Sequence, residues 1–341
     1  MFKKSEIFFK RLDEENMEEV KIYFSGFTSG FDYENNEFTR ILRKKYQVII
    51  SEKPDYLFYS CFSDEHFKYD CVKIFATGEN MCPDFNLCDY ALGFEYMSYE
   101  DRYLRYPIYA SDYITWDRLK TKQDITEAEV ANKTEFCGYV VSNNFGNPIR
   151  EVFFDQLSEY KKVNSGGRFR NNIGEPQGVK DKHGFLSKHK FTLAFENSSH
   201  NGYLTEKLPQ ALAAGTIPIY WGDPTVATQF NEKAFINCHN YKNMDEVVER
   251  IKEIDENDQL LLEILQQPAV VNPLIKPEFF DSQLESFILH IFQQPFEQGF
   301  RRDREAFGHK CEVKYGQWYQ FYKKKVFMDR LTKKVKAVFR L

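Results

Sequence analysis

Short apolar runs separated by polar, helix-compatible stretches constrain this chain's fold more than any other feature. VKIYF (20–24), YQVII (46–50), DYLFYS (55–60), VKIFAT (72–77) and DYALGF (89–94) fall within the first third. Runs this short and this continuously apolar suit strands buried on both faces. The lengths between them suit crossover helices, so the segment reads as an α/β layer built on a parallel sheet. From Ile108 to about Glu135 the pattern weakens, and this stretch reads as a connector.

A second series follows: the strand FCGYVVSN (136–143), the helix IREVFFDQLSEY (149–160), the turn NSGGR (164–168), the strand KFTLAFEN (190–197), a helix from about Tyr203 to Ala214, and the strand TIPIYWG (216–222). Met244, Val247, Val248, Ile251 and Ile254 share one helical face, and LLLEIL (260–265) suggests a further helix. A length of 341 residues is more than one hydrophobic core comfortably serves. The expected organisation is α/β throughout, with one domain over 1–130, a second over 131–305 and a tail over 306–341. A cleft between two such sheets is a preferred small-molecule site.

Composition excludes several classes. A formal charge of −5 does not describe a nucleic-acid binder, and 33 Phe with 21 Tyr supply large cores rather than disorder. Seven cysteines (Cys61, Cys71, Cys82, Cys88, Cys137, Cys238, Cys311) include no C-x-x-C pair and no His at zinc-ligand spacing, which points to a reducing compartment. The first twenty residues lack the apolar core of a secretory signal and no segment is long enough to span a bilayer, so a cytoplasmic location is expected.

The densest polar chemistry lies in FTLAFENSSHNGYLTEK (191–207), followed by AAGTIPIYWGDP (213–224). In a parallel α/β sheet, ligands bind beyond the carboxyl ends of the strands. Here a strand ends at Glu196 and Asn197, SSHNG supplies small residues that admit a ligand close to the backbone, and a helix opens near Thr205. Free N–H groups at a helix start suit a phosphate, Lys207 adds a full charge, and Glu206 can accept from ribose hydroxyls. The chain has neither a Walker lysine loop nor a G-x-G-x-x-G after a strand. Residue types and spacing alone leave two readings open: a nucleotide diphosphate site, or an ordinary strand, loop and helix with charges in its first turn.

The pattern FxxAFENSxxxGYxTEKLxxAxxAGTxPIYWGDP, from Phe191 to Pro224, resembles the signature of the α1,3/4-fucosyltransferases, glycosyltransferase family 10. TGENMCPDFNLCDYALGFEYMSYEDRYLRYPIY (77–109) is similar to the acceptor-domain segment of the bacterial members. The resemblance covers roughly residues 20–290. It implies a GT-B fold of two Rossmann-like domains facing a central cleft, with GDP-fucose held by the C-terminal domain and the acceptor mostly by the N-terminal one. It also implies an inverting displacement that turns GDP-β-L-fucose into an α-L-fucoside. The acceptor hydroxyl implied is O3 of N-acetylglucosamine or glucose in a galactosylated glycan such as N-acetyllactosamine, giving Lewis-type structures on lipid-linked or lipopolysaccharide acceptors. Two other readings stay open: a glycosyltransferase that uses another GDP-linked sugar, and a nucleotide-sugar or glycan-binding protein without turnover.

Residue by residue, Glu79 in TGEN matches the family's carboxylate base, with Glu95 in GFEYMSYED as the nearby alternative. Arg150 matches the arginine on the donor diphosphate, where a planar guanidinium grips two oxygens at once. The resemblance implies that Lys207 shares the leaving-group charge, Glu206 binds ribose, and Asn197 and Tyr203 line the diphosphate and fucose. The turn at Ser165, Gly166, Gly167 and Arg168 is similar to the family's small-residue loop near the nucleotide, an ordinary tight turn being equally open. Asp223 and Pro224 read as a structural turn. Pro209 departs from the family pattern and fits only within a helix's first turn. No D-x-D motif calls for a metal, so none is expected to be obligatory, while stimulation by Mn²⁺ or Mg²⁺ stays compatible.

From Lys323 to Arg340, eight basic residues stand against one acid, Asp329. Phe327, Leu331, Val335 and Val338 share one side of a helix, with Trp318, Tyr319, Phe321 and Tyr322 just before. A basic amphipathic helix with interfacial aromatics reads as a segment lying on anionic lipid, the alternative being a helix that docks its apolar stripe on the protein itself. The resemblance places such contact on the inner face of a bacterial inner membrane.

Overall fold

The computed structural model describes residues 17–272 and 275–339, without the side chains of Gln123 and of residues 330–339. The chain divides into two compact units, one of residues 1–93, 98–104 and 284–341 and the other of residues 94–97 and 105–283. The division therefore does not follow the expected boundaries at 130 and 305. Residues 105–130 pack with the second unit because Tyr109, Ala110 and Trp116 are buried in its core, beside Leu208, Leu212 and Phe230.

In the first unit, β1 (Glu18–Ser25), α1 (Glu37–Leu42), β2 (Tyr46–Ile50), β3 (Tyr56–Tyr59), β4 (Val72–Ala76), β5 (Tyr90–Gly93) and β6 (Tyr103–Arg105) follow one another. The sheet has the order β2-β1-β3-β4-β5-β6. The pairings β1 with β2, β1 with β3, β3 with β4 and β4 with β5 are all parallel. Continuous burial along β3, β4 and β5 explains their unbroken apolar runs. Glu79 lies just beyond the carboxyl end of β4, the side of a parallel sheet from which loops reach ligands.

In the second unit the weakly patterned stretch is helical, with α2 (Tyr113–Leu119) and α3 (Glu127–Ala131). Thr126 and Glu129 close a capping box on α3. The sheet elements are β7 (Glu135–Tyr139), α4 (Ile149–Tyr160), β8 (Val163–Ser165), α5 (Lys182–Leu186), β9 (His189–Phe195), α6 (Lys207–Ala213), β10 (Ile217–Trp221) and β11 (Ile236–Asn237). Their order is β11-β10-β9-β7-β8, every pair parallel. Helices α7 (Met244–Asp255) and α8 (Asp258–Leu265) bury Val247, Ile251, Ile254, Leu261 and Leu265 in the core of this sheet.

The chain then forms α9 (Pro277–Gln293) and α10 (Phe307–Phe339). Phe292 of α9 stacks on Tyr56 in the first unit at 4.1 Å between centroids. The root of α10 is fixed by buried charges: Asp89 accepts from the Lys73, Arg301 and Arg302 backbone amides and pairs with the Arg302 guanidinium. Glu312 of α10 meets both Lys73 and Arg302. Further along, Trp318, Phe321, Tyr322, Phe327 and Met328 are exposed. Of the expected tail positions, the side chains of Arg330, Leu331, Lys333, Lys334, Val335, Lys336 and Val338 lie outside the described residues. Arg340, and residues 1–16 of the N-terminal stretch read above, lie outside them as well.

Candidate active site

Strand β9 delivers Glu196 to the carboxyl edge of the second sheet. Its backbone N–H donates to the Trp221 carbonyl at 2.8 Å, extending the ladder with β10, and the residue is 0% exposed. The carboxylate accepts from the Thr205 N–H at 2.8 Å, the Thr205 hydroxyl at 2.7 Å and the Lys207 ammonium at 2.9 Å. A side chain at Gly222 would overlap Glu196 Cγ, so glycine there makes room for the carboxylate. Burial pushes the Lys207 ammonium down, but the Glu196 and Glu206 carboxylates outweigh it and hold the group above its ordinary value.

This arrangement corrects the expected helix start. Helix α6 begins at Lys207, not near Tyr203 or Thr205, and the Thr205 N–H is engaged by Glu196 rather than free. Pro209 is the third residue of α6, where a missing N–H breaks no intrahelical bond.

Arg150, the second residue of α4, is 2% exposed. Its Nη1 donates to the Phe145 carbonyl at 3.1 Å and to Asn197 Oδ1 at 2.9 Å. The Asn147 N–H donates to the Asn197 carbonyl at 2.7 Å, tying the loop before α4 to the end of β9. Arg150 Nε and Nη2 are buried with no partner at hydrogen-bond geometry, and the likewise unpaired hydroxyl of Tyr139, at the end of β7, lies beside this guanidinium. Burial raises the Tyr139 phenol, while Arg150 and Lys207 pull it the other way. No carboxylate pairs with this guanidinium among the described residues, and a buried cation with idle donors is costly unless an anion completes it.

Glu206 follows directly, its side chain 34% exposed and 4.0 Å from the Lys207 ammonium. Burial raises its carboxyl, but Lys207 and Lys182 outweigh that and hold it below the ordinary carboxylate range. Asn197 is half-buried with its Oδ1 on Arg150. Tyr203 is buried edge-to-face on Phe94 at 5.0 Å. The turn before it is held by Asp223, whose Oδ1 accepts from the Gly202 N–H at 2.9 Å and the Thr225 N–H at 2.8 Å. Gly202 has φ +85° and a Cβ there would lie 2.6 Å from the Phe94 carbonyl, so only glycine fits.

Ser165 is fully buried, its N–H on Asn172 Oδ1 and its hydroxyl on the Phe169 carbonyl, so its polar atoms serve the turn. Gly166 is buried beside the Phe185 ring, and Arg168 is exposed. In the first unit Glu79 is half-buried, its N–H on Thr77 Oγ1 at 3.0 Å. Glu95, in the second unit, pairs with His200 at 2.9 Å. Sequence reasoning gave no role to Glu196 or Tyr139. An acid closing an apolar strand two residues ahead of a small-residue turn was the only signal for the first. Among the described residues no three His, Cys, Asp or Glu side chains gather to hold a metal ion.

A family model described as the alpha-(1,3)-fucosyltransferase FucT N-terminal domain matches residues 22–112, and one described as glycosyltransferase family 10 (fucosyltransferase) C-term matches residues 130–267. The chain is 34% identical over 291 residues to an alpha-(1,3)-fucosyltransferase FucT of Helicobacter pylori, covering 71% of this chain and 57% of that protein. It is 30% identical over 242 residues to a putative fucosyltransferase R654 of Acanthamoeba polyphaga mimivirus, covering 66% and 38%. It thus spans roughly half the length of these curated relatives or less. A crystal structure of an α1,3-fucosyltransferase superimposes with a TM-score of 0.71 at 28% identity over 86% of this chain and 94% of that one. One with GDP-fucose gives 0.63 at 28% identity over 80% and 91%.

Proposed function

The chain belongs to glycosyltransferase family 10, the fucosyltransferases, and on that premise we propose that it moves L-fucose from GDP-β-L-fucose to a glycan hydroxyl with inversion at the anomeric carbon. The observation that carries the proposal is the buried Arg150 guanidinium with Nε and Nη2 unpartnered at the carboxyl edge of the second sheet. Two idle, roughly parallel N–H donors fit two oxygens of a diphosphate. The acceptor oxygen attacks C1 of fucose as the bond from C1 to the β-phosphate oxygen breaks. Glu79 takes the hydroxyl proton, GDP leaves with the bonding pair, and Arg150 with Lys207 stabilises the charge that develops on it. Glu206 accepts from the ribose hydroxyls, and Asn197 holds Arg150 in place.

The acceptor proposed is O3 of N-acetylglucosamine or glucose in an N-acetyllactosamine-type glycan, the products being Lewis-type structures. Side-chain cations meet the diphosphate charge, so turnover is expected to persist in EDTA, with Mn²⁺ or Mg²⁺ at most stimulating it. The test is to incubate the protein with GDP-fucose and lactose, N-acetyllactosamine or its β1,3-linked isomer and identify products by mass and linkage. No fucosylated product from any of them, or product formation undiminished in Glu79→Ala, defeats the corresponding part of the proposal.

We further propose that α10 brings the enzyme to anionic lipid on the cytoplasmic face of a membrane. The exposed Trp318, Phe321, Tyr322 and Phe327 among lysines support this, as do seven free cysteines for the reducing side. No helix among the described residues is long and apolar enough to cross a bilayer. Removing residues 323–341 should abolish sedimentation with phosphatidylserine vesicles, and unchanged sedimentation rejects the assignment.

A further inference from the structure

Helix α6 opens at Lys207 and closes at Ala213, and a cavity with no part in the chemistry proposed above lies at its closing end. Its volume is about 390 Å³, and it is bounded by the stretch carrying α2 and α3 on one side and the last residues of α5 and α6 on the other. Arg118, Lys122, Lys133 and His183 line it, with Glu129 as the one carboxylate among the described residues. A second cavity of about 230 Å³ shares Arg118, His183 and Ala213 with the first and adds Lys182, so the two make one groove. In a chain of formal charge −5 this is a local excess of positive charge, not a general one.

Buried lysines ordinarily sit beside a carboxylate, and these do not. Lys122 is 4% exposed and Lys133 9%. Lys122 donates to the Leu265 and Gln267 carbonyls at 2.6 and 2.9 Å, and Lys133 to the Ser187 carbonyl at 3.0 Å. His183 Nε2 donates to the Ala213 carbonyl at 3.2 Å, and Lys182 to Gln210 Oε1 at 2.8 Å. Every partner is an uncharged oxygen, and none of the five basic groups is ion-paired among the described residues. The carbonyls stand at the ends of α5, α6 and α8, where a partial negative charge holds the cations without neutralising them. An ammonium carries three hydrogens, so Lys133 keeps two uncommitted and Lys122 one. Glu129 offsets little, being exposed and accepting from the Thr126 N–H and hydroxyl at 2.8 and 3.0 Å. At the other end of the groove Asp112 is engaged by Thr115 and Gln210. Burial pushes the Lys122 and Lys133 ammoniums down to about 8, so both stay charged at neutral pH with no counter-ion beside them.

We propose that this groove is a binding site, separate from the candidate active site, for a small molecule carrying two or more phosphate groups, with Arg118 and Lys133 as its principal donors. Cations spread over two joined cavities suit a chain of phosphates better than a single one, and the planar Arg118 guanidinium can grip two oxygens at once. The inference does not depend on the fucosyltransferase reading.

The experiment titrates inorganic tripolyphosphate by calorimetry into the wild type, Arg118→Ser, Lys133→Met, Lys120→Ser and Arg150→Met, with melting temperatures as a check on folding. Arg118→Ser should weaken binding about tenfold or more, the size expected of charge-assisted hydrogen bonds, and Lys133→Met at least as much. Arg118 is exposed, so its variant decides the matter if Lys133→Met fails to fold. Lys120 is exposed just past the end of α2 and does not line the groove, so Lys120→Ser should cost no more than about twofold, the effect of one screened charge. Arg150→Met should leave this binding in place. Adenosine triphosphate titrated alongside separates two sources of the same chemistry: tighter binding than tripolyphosphate identifies a phosphorylated metabolite, weaker binding a free polyphosphate. No binding to the wild type, a loss in Arg150→Met alone, or equal losses in Lys120→Ser and Arg118→Ser overturns the assignment.

Discussion

Replacing Glu196 by Gln tests whether this carboxylate organises the candidate site. The change keeps size and shape but removes the charge opposite Lys207 and puts an amide donor where an oxygen now accepts from Thr205 and Lys207. At 2.9 Å and an effective dielectric near 20 the Coulomb attraction is about 6 kcal/mol. Much of that is offset by the cost of bringing both charges out of water, so the net cost of removing one partner is about 3–5 kcal/mol. Lys207 keeps 16% exposure, so water can partly rescue it and the lower end, about 3 kcal/mol, applies. Because the chain has two compact units, the assay is native-state amide hydrogen exchange read by segment rather than a single unfolding midpoint. The slowest amides of β9 and β10 should exchange on the order of a hundredfold faster, whereas those of β1, β3 and β4 should keep their protection. Less than about 1 kcal/mol lost in β9 and β10 would refute the idea that the buried pair anchors this edge.

A methyl at Gly146 would overlap Arg150 Nη1, so Gly146→Ala should lower GDP affinity about tenfold by calorimetry, with little change in melting temperature since the loop is exposed. His66 is buried between the Tyr59 and Phe67 rings, neither nitrogen meeting a partner, and burial pushes its pKa down to about 4. Between the unfolded value of about 6.5 and 4 the unfolded chain takes up a proton that the folded one refuses, so stability falls as pH drops through that window and is unaffected by this group above it. His66→Phe should remove about 2.5 kcal/mol of acid sensitivity between pH 7 and pH 4.5, read from the slowest β3 and β4 amides by hydrogen exchange corrected for intrinsic rates; an equal loss of protection in both proteins would contradict this.

The strands were legible because parallel pairing buries both faces: Val72–Ala76 and Tyr90–Gly93 are buried at every position and so read as unbroken apolar runs. Val163–Ser165 and Ile236–Asn237 are too short to leave such a run. The stretch read as a connector hides α2, which buries only Thr115 and Trp116 and so carries little periodicity. The capping box of Thr126 and Glu129 was present in the sequence but introduces only five helical residues. At the site, residue types announced cations, and Arg150 and Lys207 do sit at the carboxyl edge of one sheet. What spacing could not convey is pairing. Glu196 closes its strand like any polar residue, and only the fold shows that its side chain turns under the following loop to take up Thr205 and Lys207. Ser165, open in the sequence to a place near the nucleotide or to an ordinary tight turn, spends its polar atoms within the turn.

That pairing changes what each cation can contribute. Arg150 has no carboxylate partner among the described residues, so a diphosphate bound as proposed would meet its full charge. Lys207 is neutralised by Glu196 at 2.9 Å and offers only the field of a dipole, which falls off faster with distance. With the donor bound as proposed, Lys207→Met should then do harm chiefly by exposing it to an uncompensated buried carboxylate. The two ways Lys207 can act, direct contact with phosphate or cancellation of Glu196, separate in a double variant. If cancellation dominates, Glu196→Gln with Lys207→Met should regain about tenfold or more of the GDP affinity that Lys207→Met loses, while Arg150→Met stays weak with or without Glu196→Gln. If contact dominates, the double variant binds GDP no better than Lys207→Met alone, and the division of labour argued from the buried pair is wrong.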